Sequence, residues 1–364
     1  MAHPTDPAAP DPMSAAPPDS AAARPGARAA ETDDRVARTD ASVARSDASV
    51  ARSDASVAGL DTSVARRGRG AAAPSGVPAL PPGRPLSAGV ALLAVAVAVV
   101  NLLVGGVLTV VALTGHVLGA WPSPEPLSPG LLGAAMLGTA PALLALARSA
   151  TWQEARTLVL PLAVVLAGLF AVSLLNAHRL YIADGGPIVS VLFSLGWLVT
   201  LGLLCVAAAV CLAGQVFTRP GPPAPRTTPL PGWTKPPLAV LGSSWLGIGT
   251  GLLVRPGFWA DFVPWHTSRA DAQALGVWAL ALGVGVLGSL AEDDLGRTRP
   301  ALLSLPGTAL AMALVLAARA SHVDWSSGPG LSLIVMVAGL LAAGASGHLL
   351  VRGTTGGEAT GSPG

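Results

Sequence analysis

Charge is scarce in this 364-residue chain and lysine nearly absent: 12% of residues are charged, and one Lys (Lys235) stands against twenty-one Arg. A soluble chain carries roughly 25% charged residues. With 51% hydrophobic residues and a mean hydropathy of +0.59, an ordinary soluble domain is excluded. The net charge of +2 implies no acidic partner, and no nucleic-acid module is recognisable. Cysteine is limited to Cys205 and Cys211. Six apart in one apolar run, they face different sides of a helix, which excludes an intrahelical disulfide. A secretory signal peptide is also lacking. The first apolar run begins near residue 86 and is too long for an h-region, so it is expected to persist as the first span.

The most informative absence lies inside the apolar segments. None carries Asp, Glu, Lys or Arg at mid-membrane depth. Proton-coupled pumps, voltage sensors and many ion-driven carriers rely on such groups. The one notable polar residue is Asn101, in the first segment, and it reads as an intramembrane polar contact between helices.

What is present is length. About 20 apolar residues cross a bilayer as a helix, and eight such segments are readable: 87–113, 130–147, 157–176, 188–216, 238–254, 272–290, 300–318 and 330–350. The fold class expected is an all-α membrane protein of eight transmembrane helices. The first and fourth segments exceed a bilayer core, so tilt or a break is expected, with Gly105-Gly106 a natural place. Pro141, Pro161 and Pro306 fall within spans, where membranes tolerate them.

The eight segments read as one four-span unit written twice. Leu132-Gly133 corresponds to Leu275-Gly276, Arg156 to Arg299, and Gly186-Pro187 to Pro329-Gly330, all 143 residues apart. Because each unit has an even number of spans, the second enters from the same side as the first. The repeats are therefore parallel, about an axis along the membrane normal. The divisions expected are an N-terminal arm (1–85), a first membrane half (86–217), a Pro-rich linker (218–237), a second half (238–351) and a disordered tail (352–364).

Orientation follows from the basic residues near the spans. With the N-terminus cytoplasmic, twelve lie inside (Arg66, Arg67, Arg69, Arg84, Arg148, Arg156, Arg219, Arg226, Lys235, Arg297, Arg299, Arg352) and four outside (Arg179, Arg255, Arg269, Arg319). A multi-pass plasma-membrane protein with both termini cytoplasmic is expected. The arm is rich in Ala, Pro, Ser, Asp and Arg and has no Phe, Trp or Tyr, so it lacks the apolar surface to offset its ordering entropy. It contains a heptad-like repeat marked by Asp33, Asp40, Asp47, Asp54 and Asp61, whose seams are too poor in large apolar residues for a strong coiled coil.

Candidate sites are few. Gly283-Val-Gly285-Val-Leu-Gly288 matches a dinucleotide-binding pattern, but it lies within a hydrophobic span and reads as a packing face. Glu292-Asp293-Asp294 could hold Mg²⁺, yet no second acidic cluster joins it on that side, and a solvated topology-setting loop is the better reading. Four histidines, His116, His178, His266 and His322, gather just outside spans on the outer side with several acids and Trp residues. Neutral imidazole binds Zn or Cu, but none of the four pairs at helical ligand spacing, so convergence would depend on the fold. Small-residue pairs at Ala134/Gly138, Gly247/Gly251 and Ala343/Gly347 suit close helix approach.

The run Arg255-Pro-Gly-Phe-Trp259-Ala-Asp-Phe-Val-Pro264-Trp265-His-Thr-Ser-Arg269-Ala, followed by Leu275-Gly276-Val-Trp278, resembles a passage in uncharacterised actinobacterial polytopic integral membrane proteins with a Trp/Pro-rich outer loop. The first half departs from it, since Trp121-Pro122 lacks the following Arg. The resemblance implies a bacterial multi-pass architecture over roughly 90–350 and no activity. Three functions are open: a non-enzymatic membrane component acting as a regulatory or assembly partner, a facilitator of a neutral or lipidic solute, and an outer-face metal-dependent enzyme. No cofactor is expected. The partners expected are the lipid bilayer and another membrane protein or a second copy of the chain.

Overall fold

The computed structural model describes residues 83–217 and 228–356; the heptad-like repeat and residues 218–227 of the linker lie outside them. The described residues hold eight helices long and apolar enough to cross a bilayer. They are α1 (Ala88–Leu113), α2 (Leu127–Leu146), α3 (Trp152–Leu175), α4 (Ile188–Phe217), α5 (Lys235–Val254), α6 (Arg269–Glu292), α7 (Leu295–Ala318) and α8 (Gly328–Gly356). No strand is formed among these residues, only an isolated bridge between Pro85 and Thr151.

Several helices begin three to five residues before the apolar run does. In α6 and α7 the reason is capping. Ser268 accepts from the Asp271 N–H while its own N–H donates to the Asp271 carboxylate, and Asp294 accepts from the N–H groups of Gly296 and Arg297. Such polar first turns satisfy otherwise orphaned donors, so the helix outruns its hydropathy. The break expected at Gly105-Gly106 is a π-turn over Asn101–Gly105, which inserts one extra residue without ending α1. Pro141, Pro161 and Pro306 all lie inside continuous helices.

The two halves share one topology. Helices α3 and α7 begin and end 143 residues apart, as do the short 3-10 turns Ala177–Arg179 and Ala320–His322 that follow them. Ahead of the π-turn the spacing is 144: Trp152 N–H donates to the Arg84 carbonyl at 2.8 Å, and Leu295 N–H to the Thr228 carbonyl at 2.8 Å. The one-residue shift is the residue that the π-turn inserts.

Helix pairing repeats too. Helix α1 packs along α2 as α5 packs along α6, and the third helix of each half lies on the second helix of the other, α7 on α2 and α3 on α6. The halves are thus interleaved. Glycine sets the closest approaches: a Cβ on Gly133 would lie 2.8 Å from the Gly105 carbonyl, and one on Gly276 3.0 Å from the Gly249 carbonyl. Without a hydrophobic drive between helices in lipid, such van der Waals contact is a main source of association. The pair anticipated at Gly247 and Gly251 is not the one used, since Gly247 faces open space and Gly251 takes the Trp259 ring. Helix rotation places Gly249 on the seam instead.

At the end of the bundle carrying the four histidines, the ends of α3 and α7 are tied down by different chemistry in the same register. Asn176, closing α3, donates to Gln273 Oε1 (2.8 Å), and Gln273 donates to the Leu253 carbonyl near the end of α5 (3.4 Å). Arg319, closing α7, reaches α1 directly, donating to the carbonyls of Ala112 (2.8 Å) and Leu113. Gly130 stands where α6 has Gln273, so α2 offers no side chain there to make the corresponding bridge. A cation on orphaned C-terminal carbonyls is favourable. Arg319→Met, which keeps the stem and removes the donors, is expected to cost about 1–2 kcal/mol. The check is thermal unfolding in detergent; an unchanged midpoint would show that water serves those carbonyls equally well.

Candidate functional site

Three features stand out once the shared topology is set aside. The first is a central cavity of about 70 Å³ where the halves meet, lined mainly by apolar residues with Asn101, Thr139, Ser289 and Ser304 among them. Asn101 Nδ2 donates to Thr139 Oγ1 at 3.1 Å, joining α1 to α2. The Thr139 hydroxyl donates to its own helix, to the Ala135 or Met136 carbonyl at 3.0 Å. Asn101 is therefore the interhelical contact read from the sequence, and it also borders the cavity.

The second is a buried polar node at the His-bearing end. Asp271, one of the acids on the side of the four histidines, is 3% exposed. Its Oδ1 accepts from Trp121 Nε1 (2.9 Å) and Ser123 Oγ (2.8 Å), and its Oδ2 from Ser268 Oγ (2.8 Å). The node joins the first half's loop to the second half's α6. Its counterpart is Trp265 Nε1 donating to Ser128 Oγ at 3.0 Å. Ser128 and Asp271 hold the same register in α2 and α6, so each half's loop Trp anchors on the other half's second helix.

The third is a lateral cleft between α5 and α8, floored by α6 and α7. One lobe, about 470 Å³, has aromatic walls that include Trp245, Trp259, Phe262, Trp265 and Trp278. The other, about 650 Å³, is mainly aliphatic, with Leu238, Leu241, Leu302 and Ala343 in its walls and Trp233 beside Thr234 at one end. Its rim residues Val240 and Val335 are 67% and 69% exposed, so it opens sideways. Met336 borders both lobes. The helices meet at a waist where a Cβ on Gly339 would lie 3.0 Å from Leu241 Cδ1.

No residue of α1 or α4 lines either lobe. The corresponding α1–α4 seam is laced shut. Buried Gln215 accepts from the Ser87 N–H (3.1 Å) and donates to the Pro85 carbonyl (3.2 Å). Toward the other end α4 is held to α3 and to the loop after α1: Trp197 donates to Ser173 Oγ of α3 (3.1 Å), stacks on Phe193 of its own helix and meets the loop's Trp121 edge-on.

The four histidines are each exposed and do not converge. His322 Nδ1 lies 3.8 Å from Glu125, and His116 Nδ1 contacts Thr114 Oγ1 at 3.2 Å. His178 sits in the turn after α3 and His266 beside Trp265. Among the described residues no three His, Cys, Asp or Glu side chains stand close enough to hold a metal ion.

At the opposite, Arg-rich end the Glu292-Asp293-Asp294 loop is neither a metal pair nor simply solvated. Glu292 pairs with Arg156 and Arg297, Asp293 with Lys235 (2.7 Å), and Asp294 caps α7. The loop clamps α3, α5, α6 and α7 together. The glycines of the dinucleotide-like pattern lie within α6, Gly283 against the α5 backbone and Gly285 against Pro161, so they pack helices.

Trp245 and Trp278 were missed as site residues. The available signal was their position, since Trp ordinarily favours membrane interfaces and these two lie mid-span. Comparison with protein-family models, with curated proteins and with solved structures finds no match to this chain, so function must be read from the residues themselves.

Proposed function

We propose that this integral membrane protein is a non-enzymatic component of the plasma membrane that takes a neutral lipidic molecule from the bilayer into the α5–α8 cleft. The Arg-rich end and both termini face the cytoplasm, a reading supported by the twelve-to-four distribution of basic residues. The observation that carries the proposal is the contrast between two seams of one topology: α1–α4 is laced by Gln215, while α5–α8 opens into two apolar lobes. Their volumes fall within the roughly 300–1,000 Å³ of ligand sites. No charged side chain lines either lobe, which suits an uncharged occupant.

Photolabelling tests this. A neutral monoacylglycerol with a diazirine in its chain, added to the full chain in vesicles, is expected to mark residues around Leu241 and Met336, with unlabelled lipid competing. Lipid-facing α1 and α4 residues should be marked weakly and without competition. Uniform, non-competed labelling of all outward faces would sink the proposal.

A further inference from the structure

The two lobes of the cleft lie end to end. On α5, Leu238 and Leu241 line the aliphatic lobe, and Trp245, Ile248 and Leu252 the aromatic one. On α8, Ser332 and Met336 line the aromatic lobe, and Met336, Gly339, Ala343, Ser346 and Leu350 the aliphatic one. Steps of three and four residues keep these positions on one face of each helix, so the groove follows both helices lengthwise. The aliphatic lobe also passes the waist. Ser244 and Met336 line it on one side of the Leu241–Gly339 approach, and Leu238 and Ala343 on the other.

Length decides what fills such a groove. From Ser332 to Leu350 the α8 wall runs eighteen residues within one continuous helix, roughly 27 Å at about 1.5 Å per residue. That is nearly the thickness of a hydrocarbon core of about 30 Å. A diacyl lipid hangs both chains from one interface, and they end near the midplane, about 15 Å down. Both would lie in one lobe and leave the other empty. Two separate lipids, one from each leaflet, would each give up translational freedom, whereas one chain through both lobes gives it up once.

Resting on the cleft reading, we infer that the occupant is a neutral single-chain lipid whose hydrocarbon is longer than one leaflet. The chain threads both lobes past the midplane, with its polar group at one interface. The walls where the lobes meet agree with this. They are Leu241, Trp245, Met336 and Gly339, with Ser244 beside them, a surface that suits methylene groups and not a polar head.

The test uses the full chain in phosphatidylcholine vesicles and two monoacylglycerols. One has sixteen chain carbons, roughly a leaflet's depth, and the other twenty-six, roughly the whole core. Each is made in two forms, with a diazirine near the ester or at the terminal carbon. The two forms of the long probe are expected to mark opposite lobes, one near Leu333 and the other near Ala343, and those of the short probe a single lobe. At equal mole fraction in the bilayer, the unlabelled long lipid is expected to compete about fivefold better than the short one, through added contacts in the second lobe. Ala343→Phe, which fills the aliphatic lobe, is expected to remove that advantage. Both forms of the long probe in one lobe, or equal competition by the two lengths, would overturn the inference, and these comparisons on the unaltered chain stand even if the variant misfolds. So would an Ala343→Phe protein that keeps the full advantage. Competed labelling of the cleft without any dependence on length would reject the long chain while leaving the cleft reading intact. No competed labelling at either length would reject the two together.

Discussion

Gly138→Ala is expected to destabilise the protein by about 1–3 kcal/mol, whereas Gly247→Ala leaves it unchanged or slightly more stable. Gly138 lies where α2 crosses α7. A Cβ there would fall against the backbone of Thr308 and lie 2.6 Å from the Gly307 carbonyl carbon. Backbone has no rotamer by which to yield, so the helices must separate or bend, forfeiting the close contact that holds interleaved halves together. At Gly247 nothing stands within reach, and Ala is the better helix former. Thermal midpoints of the two variants in one detergent provide the check. Equal midpoints would mean that α2 and α7 are not closely held there.

The second large effect concerns Asp271. Asp271→Ala removes the acceptor shared by Trp121, Ser123 and Ser268. The hydroxyls can turn to other partners, but the Trp121 N–H is fixed by its ring and is left buried. A loss of about 3 kcal/mol is expected. Asp271→Asn keeps one carbonyl oxygen and is expected to lose about half as much, provided that oxygen faces Trp121. The effect should disappear in a double-variant cycle with Trp121→Phe, because the coupling lies in that hydrogen bond. Asn and Ala behaving alike, or additive effects with Trp121→Phe, would show that the node is not what joins the halves.

Much of the architecture was legible before any coordinates. Eight apolar runs announced eight helices, and Leu132-Gly133 against Leu275-Gly276 announced the repeat and its spacing. Asn101 was recognisable as an interhelical contact because an amide at that depth needs a partner. The helix starts were less legible, since Ser268 and Asp294 extend helices into polar sequence by capping. Side-chain convergence was not legible at all. Four histidines near span ends looked like one group, yet each lies exposed and apart, because nearness to an interface fixes only one coordinate of three. Nothing in the sequence set Asp271 apart from the other acids of that side, because Trp121 and Ser123 reach it from 148 to 150 residues away.

By itself, then, the sequence determined that the chain lies in a membrane, how often it can cross, and that its halves are alike. These follow from composition and periodicity, which act locally and add up along the chain. Only the tertiary structure decided where the likeness ends: a seam laced by Gln215 in one half, and in the other an open cleft with Trp245 and Trp278 in its walls. The reason is physical. A helix's outward apolar face reads the same whether it meets lipid, another helix or a ligand, and which of these it meets depends on how neighbouring helices rotate and how closely their glycines let them approach.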